Sequence, residues 1–227
     1  MKNIGKNIGL ISVTLNAVIP MMQAFRAESS LRIKNYLDEG LQALVQREGR
    51  VTEQCLSRML KIITKAADDQ AEAILLTCTV YTPYLEQLQS NFSIPLVSAD
   101  RAMLEQAVRL NRKTAILCTF PATTDSSAAV FQSAARRLGM TKAQADIFLL
   151  EAAAQAIGLG QVEQHDRLIA EKAIELGSQY EAIVLAQISM ANAALLLTDQ
   201  PFIVLTSPKS SIETLLSLPS VSIETKA

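Results

Sequence analysis

Short β-type runs recur along the chain at Ile8–Val13, Arg32–Tyr36, Ala73–Leu76, Thr114–Cys118, Ala182–Leu185 and Phe202–Leu205, most of them nearly continuous in apolar residues. Runs of that kind suit parallel strands covered on both faces. Longer helical patterns lie between them. Over Val51 to Ala67, residues Val51, Cys55, Leu56, Met59, Ile62, Ile63 and Ala66 recur at spacings of three or four, an apolar stripe along one helix. The alternation predicts an α/β fold of parallel strands joined by crossover helices. Ligands in such sheets bind beyond the carboxyl ends of the strands, so the residues just after each strand matter most.

The pattern also repeats. Glu72-Ala73-Ile74-Leu75-Leu76-Thr77-Cys78 is similar to Glu181-Ala182-Ile183-Val184-Leu185-Ala186-Gln187. Ile94-Pro95-Leu96-Val97-Ser98 then answers to Gln200-Pro201-Phe202-Ile203-Val204, and Ile8–Thr14 to Thr114–Thr119. All these matches share an offset of about half the chain, which predicts two related lobes. The expected division is residues 1–97 plus 205–227 for the first lobe and 98–204 for the second. Each lobe is expected to be a mostly parallel sheet flanked by helices, with a cleft between the two. Such an arrangement sets Cys78 across from Gln187, and the Thr14 loop across from the Thr119 loop.

Composition narrows the function classes. With 49% hydrophobic and 19% charged residues in a chain of 227, a sizeable core is available and disorder is excluded. A net charge of −1 and 4% aromatics without tryptophan argue against a nucleic-acid surface. No run approaches the roughly 18 apolar residues of a membrane span. Lys2 and Lys6 precede an apolar stretch too short for a signal core. One histidine, His165, and three scattered cysteines make a His/Cys metal site improbable, and the odd cysteine number suits a reducing cytoplasm. The apolar fraction leads us to expect a homo-oligomer.

Candidate chemistry gathers at the strand ends. Cys78 follows the Ala73 run directly, where a helix N-terminus would lower its pKa toward thiolate. A thiol there can serve as nucleophile or as general acid and base. Cys118 within a strand and Cys55 on an apolar stripe read as core. Hydroxyls and amides follow the other strands: Thr14 and Asn16; Thr119, Thr123, Thr124, Asp125, Ser126 and Ser127; Ser189 and Asn192. They can hold a carboxylate together with helix N-terminal amides, and they are equally the residues of helix caps. Asp125 is expected to cap a helix, Gly158-Leu159-Gly160 to stop one, and His165 to be solvated between Gln164 and Asp166. Arg101, Arg109 and Arg112 are expected on the surface. Phosphate-binding glycine loops and the G-x-S-x-G elbow are absent from the sequence.

Taken in order, Thr14-Leu15-Asn16, Leu75-Leu76-Thr77-Cys78-Thr79, Thr119-Phe120-Pro121-Ala122-Thr123-Thr124 and Leu185-Ala186-Gln187-Ile188-Ser189-Met190 resemble the aspartate/glutamate/hydantoin racemase superfamily. That superfamily includes arylmalonate decarboxylase and maleate isomerase. The resemblance covers nearly the whole chain. It implies a two-lobed α/β protein that works on a small carboxylate or carbonyl compound without metal or pyridoxal phosphate. In the racemases two cysteines on opposite walls exchange a proton at a carbon beside a carboxylate or carbonyl. Cys78 matches the first of them. Thr79, Thr14, Asn16 and the Thr119–Thr124 loop match the segments that hold the carboxylate. Gln187 stands where the second cysteine belongs, and Thr79-Val80-Tyr81 replaces the common Asn-Thr after the first. An amide has no proton-transfer pKa near neutrality, so the resemblance implies one-base chemistry through Cys78, with Gln187 and Ser189 as binding groups. The alternatives are a decarboxylase or cis–trans isomerase of the same fold, a carboxylate-binding descendant without catalysis, and a helix-rich assembly subunit.

Overall fold

The four most apolar runs of the sequence become the inner strands of two parallel sheets. In the computed structural model, which describes residues 5–26 and 28–219, the first half runs β1 (Lys6–Ser12), α1 (Leu15–Phe25), β2 (Leu31–Leu37), α2 (Glu39–Glu48), α3 (Glu53–Asp68) and β3 (Ala73–Leu76). A 3₁₀ turn (Thr79–Tyr84), α4 (Leu85–Gln89) and β4 (Leu96–Ser98) complete it. The second half runs α5 (Arg101–Leu110), β5 (Thr114–Cys118), α6 (Pro121–Arg137), β6 (Ala145–Leu149), α7 (Glu151–Gly158), α8 (Val162–Leu176) and β7 (Ala182–Leu185). A second 3₁₀ turn (Ile188–Leu196), β8 (Ile203–Thr206) and α9 (Ser207–Ser217) follow. The end of the expected first lobe, residues 220–227, lies outside the described residues.

Both sheets have the same order, β2-β1-β3-β4 and β6-β5-β7-β8, with every pairing parallel. The expected α/β architecture of two similar lobes is what the chain forms. The register is shared as well. Ile8 to Ile11 pair with Ala73 to Leu76 in one sheet, and Thr114 to Leu117 pair with Ala182 to Leu185 in the other. Leu76 and Leu185 are therefore equivalent, and so are the residues two positions on, Cys78 and Gln187.

Two strands, β4 and β6, were not anticipated. β4 has only three residues. β6 is an edge strand whose burial alternates through Asp146, so it lacks the continuous apolar run of its inner neighbours. The α3 stripe is as expected: Cys55, Leu56, Met59, Ile63 and Ala66 are buried, and Thr52 caps the helix by accepting the Cys55 N–H.

The second half also covers the first. α5 follows a strand of the first sheet but packs Met103, Leu104, Ala107 and Val108 against Ile116, Cys118, Val184 and Leu205 of the second. α9 follows the second sheet and brings Leu215 to Ile8, Leu10 and Met21 of the first, while Ser211 donates to the Ala99 carbonyl at 3.0 Å. Among the described residues no helix is long and apolar enough to cross a membrane.

Candidate functional site

Parallel strands leave their carboxyl ends on one side, and the turns after β1, β3, β5 and β7 meet there around a cavity of about 220 Å³. Thr14, Asn16, Cys78, Thr79, Thr119, Thr123, Gln187 and Ser189 all line it. Thr124 does not: its hydroxyl donates to the Pro121 carbonyl at 2.6 Å. Neither Thr123 nor Thr124 sits in a loop, because α6 starts at Pro121, where proline's fixed φ suits the first helical position. The same early start places Asp125 inside α6 rather than before it, so it is exposed and not the expected cap.

The two equivalent turns touch. Thr79 donates its hydroxyl to the Ala186 carbonyl at 3.2 Å, joining the segment beside Cys78 to the segment beside Gln187. Thr77 ties the first turn back to β1 through the Ile11 carbonyl and the Ser12 hydroxyl. Gln187 is held by Thr119, whose backbone N–H and hydroxyl both donate to Oε1, at 2.6 and 3.0 Å. A backbone N–H can only donate, so the amide orientation is fixed with its carbonyl toward Thr119. Its NH2 group is the part left for a ligand. Thr14 is committed too: it caps α1 and accepts the Asn16 N–H at 3.3 Å.

Cys78 is partly buried at the head of the first 3₁₀ turn. Its expected drop in pKa does not occur. Burial pushes the thiol up to about 12, against the hydrogen bond from the Val80 N–H, and the Asp100 carboxyl adds to the rise. A six-residue 3₁₀ turn supplies one N–H to the sulfur rather than the dipole of a long helix. Cys55 and Cys118 are buried in the core, as expected.

His165 is not solvated. It is fully buried, with Nδ1 at 2.9 Å from the Ala153 carbonyl, because it shares the inner stripe of α8 with Ile169, Ala173 and Leu176. Its polar sequence neighbours point elsewhere around the helix, so helical period and not adjacency decides its place. Arg101, Arg109 and Arg112 pair with Glu86, Glu105 and Glu181 away from the cavity.

Sequence reasoning gave no site role to Gln42 and Gln46 of α2, or to Ala154, Ile157 and Gly158 of α7, which also line the cavity. The glutamines are an i, i+4 pair flanking the buried Leu41, Leu44 and Val45, a signal present in the sequence. Among the lining residues there is no Asp, Glu, His, Lys, Arg or Tyr, and no cysteine other than Cys78. Among the described residues no group of three or more His, Cys, Asp and Glu side chains is placed to hold a metal ion.

Comparison with known proteins was made on sequence and on fold. Residues 40–209 match the sequence profile of the family described as Asp/Glu/Hydantoin racemase. No curated protein sequence matches the chain. Among solved structures, an aspartate racemase from Picrophilus torridus superposes with a TM-score of 0.73 at 12% identity, covering 93% of each chain. A glutamate racemase from Francisella tularensis in complex with D-glutamate gives 0.68 at 14% identity, over 94% of this chain and 80% of that one. An allantoin racemase from Klebsiella pneumoniae gives 0.66 at 16%, over 97% and 92%. At such identities the likeness is one of fold.

Proposed function

The chain belongs to the Asp/Glu/hydantoin racemase family, and on that premise we propose that it is an enzyme acting at a carbon beside a carboxylate or carbonyl of a small molecule, with Cys78 as its one proton-transfer group. The observation that carries this reading is the chemistry of the cavity wall. Cys78 carries the one ionisable side chain of the lining, and the equivalent position opposite holds an amide.

The steps follow from the donors available. The substrate's carbonyl or carboxylate oxygen is held by neutral donors: the Gln187 NH2 and the Asn16, Thr123 and Ser189 side chains. Oriented neutral donors favour the enolate that forms when the carbon loses a proton or a carboxyl group. Cys78 then serves that carbon from one face. A thiol held near 12 is protonated at neutral pH, so its resting state is suited to deliver a proton rather than to remove one. That state favours a reaction that begins with loss of another group and ends in protonation, such as decarboxylation, over two-sided racemisation. A lining without charged side chains favours a substrate with one carboxylate or none over a dicarboxylic amino acid, whose ammonium and second carboxylate would go unpaired.

The test is proton NMR in D2O with aspartate, glutamate, a substituted hydantoin, maleate and an arylmalonate. Deuterium entering at the reacting carbon with one configuration retained, and lost in Cys78→Ala, is the expected result. Racemic product from the wild type removes the one-base reading. Silence across the panel, with one of these compounds nonetheless raising the melting temperature, removes the enzyme reading and leaves a carboxylate-binding protein.

A further inference from the structure

One buried carboxyl takes no part in the chemistry above. Asp100 is 2% exposed and lies just past β4, at the N-terminal end of α5. Its Oδ1 accepts the Thr82 hydroxyl at 2.6 Å and the Ser98 hydroxyl, and those two hydroxyls are 2.7 Å apart. Its Oδ2 is buried without a hydrogen-bond partner. In a 3₁₀ turn, side chains three residues apart eclipse, so Thr79 and Thr82 share one face of the turn that begins just after Cys78. Asp100 therefore grips that turn from behind while the thiol stands at its head.

No cation offsets this carboxyl among the described residues. Arg101, next in the chain, reaches outward to Glu86 at 3.2 Å and Glu105 at 3.4 Å. The titratable groups that face Asp100 are two thiols, Cys78 after β3 and Cys118 at the end of β5, and Tyr81 faces Cys78 from within the turn. A carboxyl needed only as a brace would have both oxygens paired. This one is half-paired and set beside the sulfur that lines the cavity.

We propose that Asp100 is a positioning residue for Cys78: through the Thr82 hydroxyl it fixes the 3₁₀ turn that presents the thiol, and it sets a buried, unpaired carboxyl oxygen behind that turn. A thiolate formed beside an ionised carboxylate meets like-charge repulsion in a medium that screens it poorly. Burial in turn raises the pKa of Asp100 itself, and the Ser98 and Thr82 hydroxyls pull it back, so the cluster's donors set how much charge the thiol meets.

The test reads Cys78 directly and needs no turnover, so it stands apart from whether Cys78 is catalytic. Alkylation by iodoacetamide is followed by peptide mass spectrometry from pH 7 to 10 in the wild type, Asp100→Asn and Ser98→Ala. Asp100→Asn is expected to be alkylated at Cys78 about threefold to tenfold faster at each pH, with Cys55 and Cys118 still protected. Ser98→Ala removes one donor, leaves Asp100 more often protonated and shifts Cys78 the same way by a smaller factor. An unchanged or slower Cys78 rate overturns the proposal. So does a rise shared by all three cysteines, which marks a loosened fold. If Asp100→Asn does not fold, an unchanged Cys78 rate in Ser98→Ala is enough to overturn it.

Discussion

The turn after β3 and the turn after β7 occupy equivalent places in two sheets of one topology, yet one offers a thiol and the other an amide. Their surroundings diverge accordingly. Burial pushes the Cys78 thiol up to about 12, with a half-paired carboxyl adding to the rise and the Val80 N–H opposing it. Gln187 spends its carbonyl on Thr119, whose counterpart in the first sheet is Val13, a residue with no hydroxyl to give. A repeated backbone thus fixes where two groups meet a ligand without fixing what they do. Local hydrogen bonding decides the role.

Cys78→Ala tests that asymmetry most severely. Turnover, read as deuterium incorporation, should fall by about a thousandfold while the melting temperature hardly moves. Gln187→Ala should retain a measurable share of turnover, and an equal loss in both variants would show that the two turns share the chemistry. Gln187→Cys comes next, because it places a second thiol opposite the first. Chiral chromatography should then find both product configurations where the wild type gives one; an unchanged outcome means the two turns do not address the same carbon. Gln187→Ala has a third, smaller effect. It leaves the Thr119 N–H and hydroxyl without their acceptor, which should cost about 1 kcal/mol in chemical denaturation. Smallest is Thr119→Val, which removes one neutral hydrogen bond to Oε1 and should cost about 0.5 kcal/mol. It should leave KM nearly unchanged, because the Thr119 backbone N–H still holds the amide carbonyl.

Much of this was legible in the sequence. Inner strands declare themselves because burial on both faces demands unbroken apolar runs, and the shared offset of Cys78 and Gln187 revealed their equivalence. The edge strands β2 and β8 are legible from their apolar residues, whereas β6, with Asp146 and Leu149 exposed and no residue buried, carries no such run. The failures at the site have a common cause. His165, Asp125 and the thiol of Cys78 were each judged by their sequence neighbours, whereas helical phase, an early helix start at Pro121 and desolvation decide their states. Asp100 carried no sequence signal, since a carboxylate before a helix reads as an ordinary cap until its burial is known.

The crossing of α9 onto the first sheet has a consequence for the chain as a polymer. Cutting it between β4 and α5 would leave the first sheet without Leu215, while the second fragment would keep α5 on its own sheet and carry α9 without its partner, so each fragment would have an uncovered apolar face. Neither half is a self-sufficient folding unit, despite the internal repeat. Mixed fragments should reassemble only as a pair, and a chain cut there should lose cooperativity in both halves at once.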